Sequence, residues 1–168
     1  MISVPITDIE QATPERLTET LVAKGYAVRV SSIYVEKSHR TNVSTVYHLL
    51  LNYADIGEDA PQRLFLKIPD VNFIWAGREI QFYADLIPAM RERYGDVPFA
   101  VTCYDLAYDA EAKTSHLLMQ NLSETHFVIG NEETPTRDHY EQVIDGFALL
   151  HASWWEHHRL GNGLSERL

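Results

Sequence analysis

Five segments of the chain have patterns typical of β-strands, either alternation of side chains between two faces or runs rich in apolar, β-branched and aromatic residues. The predicted strands span residues 27–35, 41–53, 63–69, 99–108 and 114–121. The polar segment 36–42 separates the first two strands. We therefore expect these two strands to form a hairpin with that segment as its turn.

Helical signals occur before, between and after the strands. Thr13 is a favourable N-cap and Pro14 suits the first helical position, so a short helix should begin there. Gly25 is a suitable residue for ending it. A second helix opens near Trp75, and Pro88 should kink or end it.

A third and longer helix is predicted within residues 138–158, after a linker at 122–137. Its apolar positions keep the helical period for over four turns and form a stripe too wide for one buried face. The stripe comprises Tyr140, Val143, Ile144, Phe147, Ala148, Leu149, Leu150, His151, Trp154 and Trp155. Only the polar segment 159–168 follows, and it cannot cover a second face. We therefore expect that the second part of the fold is cut short.

These elements predict an α+β fold in two parts. Residues 1–121 should form a five-stranded antiparallel sheet with one helix inserted between the third and fourth strands. Residues 122–168 should supply the linker and the first long helix of a truncated helical region.

Lys67 and Glu79 are two charged residues on otherwise apolar faces. Alternation places Lys67 on the same face of its strand as Phe65, opposite Leu64, Leu66 and Ile68. Glu79 lies on the apolar stripe of the following helix. Two opposite charges placed in this way should meet in a partly buried site, as a phosphate-binding lysine and a helix glutamate do in kinases.

A simpler interpretation of the same two residues stays open. Lysines on strands near a sheet edge deter aggregation, and glutamates on helices usually face water. On this interpretation, Lys67 and Glu79 have no common function.

Composition narrows the classes of partner. The chain has 14 basic and 24 acidic residues and a formal net charge of −10, so nucleic acids and anionic membranes are poor partners for it. Cys103, the single cysteine, excludes an internal disulfide and any multi-cysteine metal site. It lies in an apolar run and should be inert core.

No segment is apolar enough to span a membrane, and no signal pattern opens the chain. These features predict a soluble protein of the reducing cytoplasm.

Histidines near the end of the last helix do not have the spacing of a metal site. His151 and His158 are seven residues apart and share a face, whereas a helical metal site usually has two histidines four residues apart with a carboxylate nearby. We assign no metal ligand.

Five short segments, in order, resemble the aminoglycoside phosphotransferase and choline kinase group, including the ecdysteroid-kinase-like proteins. The segments are Ser-Thr-Val-Tyr-His-Leu at 44–49, Phe-Leu-Lys-Ile-Pro at 65–69, Arg-Glu-Ile-Gln-Phe-Tyr at 78–83, His-Leu-Leu-Met-Gln-Asn-Leu-Ser at 116–123 and Phe-Ala-Leu-Leu-His-Ala-Ser-Trp at 147–154. The resemblance runs from about residue 27 to residue 155. It implies a protein-kinase-like amino-terminal lobe, its hinge and the start of the second lobe.

The resemblance also implies roles for individual residues at the phosphates. Lys67 would bind the α- and β-phosphates of ATP and would be held by Glu79. The polar groups that would cover the phosphates are those of Ser38, Asn42, Ser44 and Thr45. An ordinary solvated loop is the alternative for this hairpin turn, which also lacks the glycines that let backbone amides approach phosphates.

At the nucleobase, the resemblance implies that backbone groups of Gln120 and Leu122 meet the adenine edge. Met119 would line the back of the pocket, with ordinary core packing as the alternative. Phe65 departs from the pattern, since a smaller side chain two residues before the lysine would leave adenine more room.

No catalytic residue can be assigned. Phosphoryl transfer needs a catalytic aspartate, which the family carries in a His-x-Asp-x-x-x-x-Asn motif. No histidine of this chain has an aspartate two positions later. The chain is therefore expected to be the nucleotide-binding portion of a small-molecule phosphotransferase, a fragment or a reduced relative, that is inactive alone. The complete enzyme would use ATP with Mg²⁺ and a small-molecule hydroxyl acceptor.

An alternative function belongs to a different class. The chain could be a non-catalytic binding or regulatory module that keeps the lobe fold. The exposed apolar face of the helix within 138–158 would then bind a partner or a second copy of the chain.

Overall fold

The structure is a computed structural model that describes most of the chain. The described residues are 4–57, 59–71, 73, 75–126, 129 and 133–158. The polar tail at 159–168 and part of the predicted linker at 122–137 lie outside them.

Five antiparallel strands form one sheet in the order β1-β2-β3-β5-β4. The strands are β1 (Arg29–Arg40), β2 (Ser44–Asp55), β3 (Arg63–Pro69), β4 (Cys103–Asp109) and β5 (Thr114–Gln120). The predicted α+β fold with a five-stranded antiparallel sheet is confirmed. Non-sequential pairing of β3 with β5 puts β3 at the centre of the sheet.

The hairpin between β1 and β2 is longer than the sequence pattern indicated. The predicted turn at 36–42 is wrong in its bounds, because β1 continues to Arg40 and only residues 41–43 connect it to β2. Side chains in the outer half of β1 are exposed, so this half has no buried face even though its backbone is paired with β2. A cross-strand ion pair supports it, with Glu36 Oε2 at 2.9 Å from Arg63 Nε of β3.

The fourth strand begins later than predicted. Residues 99–102, three of them apolar, do not belong to β4, which starts at Cys103. Ahead of it, the Ala100 N–H donates to the Val97 carbonyl in a turn at 2.9 Å. The carbonyl of Thr102 accepts from the Gln120 N–H at 2.9 Å, which ties this segment to the end of β5.

One face of the sheet is covered by the first helix, α1 (Pro14–Ala23). Thr13 is its N-cap as predicted, since its hydroxyl accepts from the Arg16 N–H. The buried core on this face joins α1 to the sheet, and its fully buried members include Leu17, Leu21, Leu49, Leu64, Leu66 and Leu118. Burial of these side chains supplies the main driving force for the sheet to pack against the helix.

A histidine is buried next to this leucine core. His116 is fully buried, and its Nδ1 accepts from the Ile6 N–H at 3.1 Å. Since Nδ1 is an acceptor, the proton of the neutral ring must lie on Nε2, which is 3.1 Å from Asp105 Oδ2. Asp105 Oδ2 is also 3.7 Å from Arg16 Nη2. The ring therefore connects the amino-terminal segment, the sheet and α1.

The helical segment between β3 and β4 is interrupted. It consists of α2 (Ala76–Gln81), a π-helical turn (Phe82–Leu86) and α3 (Ile87–Tyr94). Pro88 lacks an N–H and would clash with the carbonyl of residue 84 in a regular α-helix. The wider π-helical turn lies at that point and lets the helix continue past the proline.

The last described helix is α4 (Arg137–Trp154). Thr136 caps it in a reciprocal capping box with His139. Its predicted start at residue 138 agrees to one residue, but the helix ends at Trp154 and not at residue 158, because Trp155 has an extended backbone. Trp154 is buried, and Gly146 lies against the ring of Phe99.

The chain forms two compact units. The first comprises Met1–Ala84 and Val101–Asn121, and the second comprises Asp85–Ala100 and Leu122–Leu168. The first unit contains α1, α2 and the sheet, and the second contains α3 and α4.

Replacing His116 by phenylalanine should lower the free energy of unfolding by about 1–3 kcal/mol. The variant keeps a ring of similar size but leaves the buried Ile6 N–H without its acceptor. Urea unfolding followed by circular dichroism measures the change. His126→Phe is the control, because His126 is exposed, and it should change the stability by less than about 0.5 kcal/mol. Equal effects of the two substitutions would contradict the role assigned to His116.

Candidate functional site

Lys67 faces away from the leucine core, on the sheet face opposite α1. Two cross-strand rows make up the centre of this face. One row is Val46, Lys67 and Leu117, and the other is His48, Phe65 and Met119. Lys67 is the charged residue of the first row, and its side chain is 21% exposed.

Lys67 and Glu79 form a two-point ion pair. The Nζ of Lys67 lies 2.8 Å from Oε1 and 2.6 Å from Oε2 of Glu79. The Glu79 side chain is 31% exposed, so the pair is half-buried and remains reachable from solvent. The expected contact between these two residues is confirmed, and the interpretation in which Glu79 points away into water is wrong.

Helix α2 brings Glu79 to the sheet. Ile80 is buried in a second apolar cluster with Leu117 and Met119, to which Phe65 and Tyr83 add partly buried rings. Packing of Ile80 fixes α2 on this face and so determines where Glu79 lies. Burying an isolated lysine here would be costly, and the carboxylate of Glu79 offsets that cost.

Two titratable groups of the same cluster stay protonated near neutral pH. Burial raises the pKa of the Cys103 thiol to about 12. Burial, followed by the nearby Cys103 and Glu79, also raises the pKa of Tyr83. Neither group is therefore available as a nucleophile or a base, and Cys103 lies in the apolar cluster as expected of inert core.

Of the four residues predicted to cover phosphates, only Asn42 lies in the turn between β1 and β2. Ser38 lies within β1, and Thr45 lies in β2 opposite Ile68. Ser44 is 1% exposed, and its hydroxyl is 2.8 Å from the Thr41 hydroxyl. A phosphate role for these residues stays a prediction, and for Ser44 it would require this hydroxyl pair to open.

The residues predicted at the nucleobase lie at the end of β5 and just after it. Met119 is 7% exposed and belongs to the apolar cluster around Ile80. The Gln120 N–H is already bonded to the Thr102 carbonyl. Leu122 lies in the second unit, where its carbonyl accepts from the Thr125 N–H at 3.0 Å. Their roles at adenine stay predictions.

His48 is a polar residue of this face that was not among the predicted site residues. Its ring lies edge-on to Phe65 with centroids 5.4 Å apart, and it is 5.7 Å from the ring of His39. Its Nδ1 is 3.2 Å from the amide nitrogen of Asn121. Burial lowers the pKa of His48, and the nearby His39 and Lys37 lower it further. The alternation of β2 could have placed His48 on this face once its register against β3 was known.

Metal sites and membrane helices are absent from the part of the chain that the structure describes. No group of three or more His, Cys, Asp or Glu side chains there could hold a metal ion. No described helix has the length and apolar character needed to cross a membrane.

Comparison with known proteins adds family information to this geometry. Residues 72–155, half of the chain, match the ecdysteroid kinase-like family. The matched region includes Glu79 and the predicted nucleobase residues, and begins five residues after Lys67. No curated protein matches the chain.

The raised pKa of Cys103 predicts slow reaction with thiol reagents. Because the folded thiol has a pKa of about 12 instead of 9.0, its thiolate is scarce at pH 8. Its rate with a disulfide reagent such as DTNB should be at least about a hundredfold lower in the native protein than in urea. Native and unfolded rates within about a factor of ten would contradict the partly buried position of the thiol, and Cys103→Ser provides the background rate.

Proposed function

Because the chain belongs to the ecdysteroid kinase-like family, we propose that its first unit is the nucleotide-binding portion of an ATP-dependent phosphotransferase acting on a small molecule. The observation that carries this proposal is the half-buried pair of Lys67 and Glu79 on the sheet face opposite α1. In the complete enzyme, the acceptor would be a hydroxyl group of a small molecule.

The pair suits the binding of a polyphosphate. Lys67 carries three ammonium donors, and its two contacts to Glu79 hold the side chain in one orientation before a ligand arrives. A nucleotide that approaches from the solvent side adds a second anionic partner to an ammonium group that is already partly desolvated. Charge-assisted hydrogen bonds formed in this way are stronger than bonds between neutral groups.

The negative charge of the rest of the protein limits the positions at which an anion can bind. The net charge of −10 opposes the general binding of anions. An anionic ligand is therefore favoured only where a local cation and nearby apolar groups compensate for that repulsion. Lys67, bordered by Phe65 and the apolar cluster of Ile80, is such a position.

The residues that the structure describes do not fit a magnesium site. The described carboxylates form no cluster that could hold the ion, so we assign no metal ligand and describe no step that involves the metal. Mg²⁺ would supply charge neutralisation at the phosphates as part of the Mg-ATP complex.

Phosphoryl transfer itself would need groups outside this sequence. The chain has no His-x-Asp motif to provide a catalytic aspartate. We therefore propose that these 168 residues bind nucleotide without transferring its phosphate, in the cytoplasm where ATP is available.

Mg-ATP at millimolar concentration should raise the melting temperature of the wild-type chain, because the ligand binds the folded state. Lys67→Met should weaken nucleotide binding by about tenfold or more, since a charge-assisted contact is lost. Thermal shift titrations measure both. Lys113→Met, at an exposed turn between β4 and β5, is the matched control and should leave binding unchanged. A folded wild-type sample that shows no shift with nucleotide would contradict the proposal.

A second candidate function is supported by the outer face of α4. Four large apolar side chains on this helix are 55–62% exposed, namely Tyr140, Val143, Ile144 and Phe147. Contiguous apolar surface of this kind often marks an interaction site. A binding or regulatory module that associates with itself through α4 would use these side chains.

Self-association through α4 predicts that Ile144→Gln combined with Phe147→Gln weakens the homodimer by at least about tenfold. Each large apolar side chain contributes about 1.5–3 kcal/mol when fully buried. Sedimentation equilibrium over a range of concentrations measures the dissociation constant. Asp145→Asn, an exposed polar change on the same helix, is the control. Association that survives the double replacement would exclude this surface as the interface.

A further inference from the structure

The two rows of side chains around Lys67 differ in chemistry. Lys67 lies between apolar neighbours, Val46 and Leu117, in the row that would meet the phosphates. Two residues along β3, or about 6.6 Å, the next row presents the ring of Phe65, with Met119 on one side and His48 on the other. Although the Phe65 ring leaves less room than a smaller side chain would, aromatic and apolar surface at this distance from a phosphate-binding lysine can stack against a nucleobase.

His48 is the polar member of this second row, and its orientation is fixed by two contacts. The Asn121 amide N–H donates to its Nδ1, across 73 positions of sequence. The edge-on contact with Phe65 holds the plane of the ring. Both contacts lie within the first unit.

The contact with Asn121 also determines which tautomer His48 adopts. An amide nitrogen is only a donor, so Nδ1 must accept and the proton of the neutral ring lies on Nε2. Burial, followed by the nearby His39 and Lys37, lowers the pKa of His48, which favours this neutral form. Its Nε2–H has no hydrogen-bond partner among the residues that the structure describes.

We propose that His48, oriented by Asn121, is the side chain that discriminates between adenine and guanine in the bound nucleotide. The proposal rests on the nucleotide binding proposed above. Adenine carries an amino donor where guanine carries a carbonyl acceptor, and their neighbouring ring nitrogens are likewise reversed. A single fixed N–H donor therefore interacts favourably with one base and unfavourably with the other.

The test is the ratio of the dissociation constants of Mg-ATP and Mg-GTP, each obtained by thermal shift titration at pH 7.5. The wild-type chain should prefer one nucleotide by about fivefold to tenfold, the contribution of one hydrogen bond between neutral groups. His48→Phe keeps a ring beside Phe65 but has no N–H, so its ratio should fall toward one. Asn121→Ala releases Nδ1 and should lower the ratio as well, which provides a second test if His48→Phe does not fold.

A matched control separates base selection from general effects on the sheet. His39→Phe makes the same substitution in the ring adjacent to His48, where no bond to Asn121 is formed, and should preserve the wild-type ratio. Lys67→Met should weaken both nucleotides by the same factor and leave the ratio unchanged.

Three results would overturn the inference. If Lys67→Met weakens the binding of both nucleotides while His48→Phe keeps the wild-type ratio, His48 does not select the base, and the proposal of a nucleotide site at Lys67 is retained. A wild-type ratio of one would also show that His48 does not select the base. If the folded wild-type chain binds neither nucleotide, the proposed function fails and this inference fails with it.

Discussion

The candidate site depends on the burial of one face of the central strand, β3. Leu64 and Leu66 of β3 are fully buried against α1, so the alternation of the strand forces Lys67 onto the opposite face. A shift of one residue would bury the ammonium group in the leucine core, at a cost of several kcal/mol. The same burial that forms the core therefore also directs the lysine to the face of α2. Glu79 then stabilises it there without closing it from solvent.

The helices and strands that could be predicted from the sequence are those with strong local patterns. The Thr13-Pro14 cap and the alternation of β3 gave correct elements, because N-capping and the period of two act over a few residues. The outer half of β1 could not be recognised, since its exposed polar side chains resemble a turn although their backbone is paired. The π-helical turn ahead of Pro88 also has no sequence signal beyond the proline itself.

The candidate site could also be predicted in part from the sequence. Lys67 and Glu79 could be paired from their faces, because each lies on a regular element whose period is known. His48 could not be assigned, since its partners Phe65 and Asn121 are brought to it only by the register of β2 against β3 and by the end of β5. Family membership supports a kinase-like protein for this chain. The exposed apolar side chains of α4 belong to the second unit, and the ion pair belongs to the first.

The central claim is that Lys67 and Glu79 act together on one nucleotide. A double-mutant cycle of Lys67→Met and Glu79→Gln, with Mg-ATP affinity measured by calorimetry, tests this most directly. If Glu79 acts by holding Lys67, its replacement should weaken binding in the wild-type background but have little further effect once Lys67 is gone. The predicted coupling is about 1–3 kcal/mol. Losses that simply add, or single variants that bind ATP as the wild type does, would contradict the account.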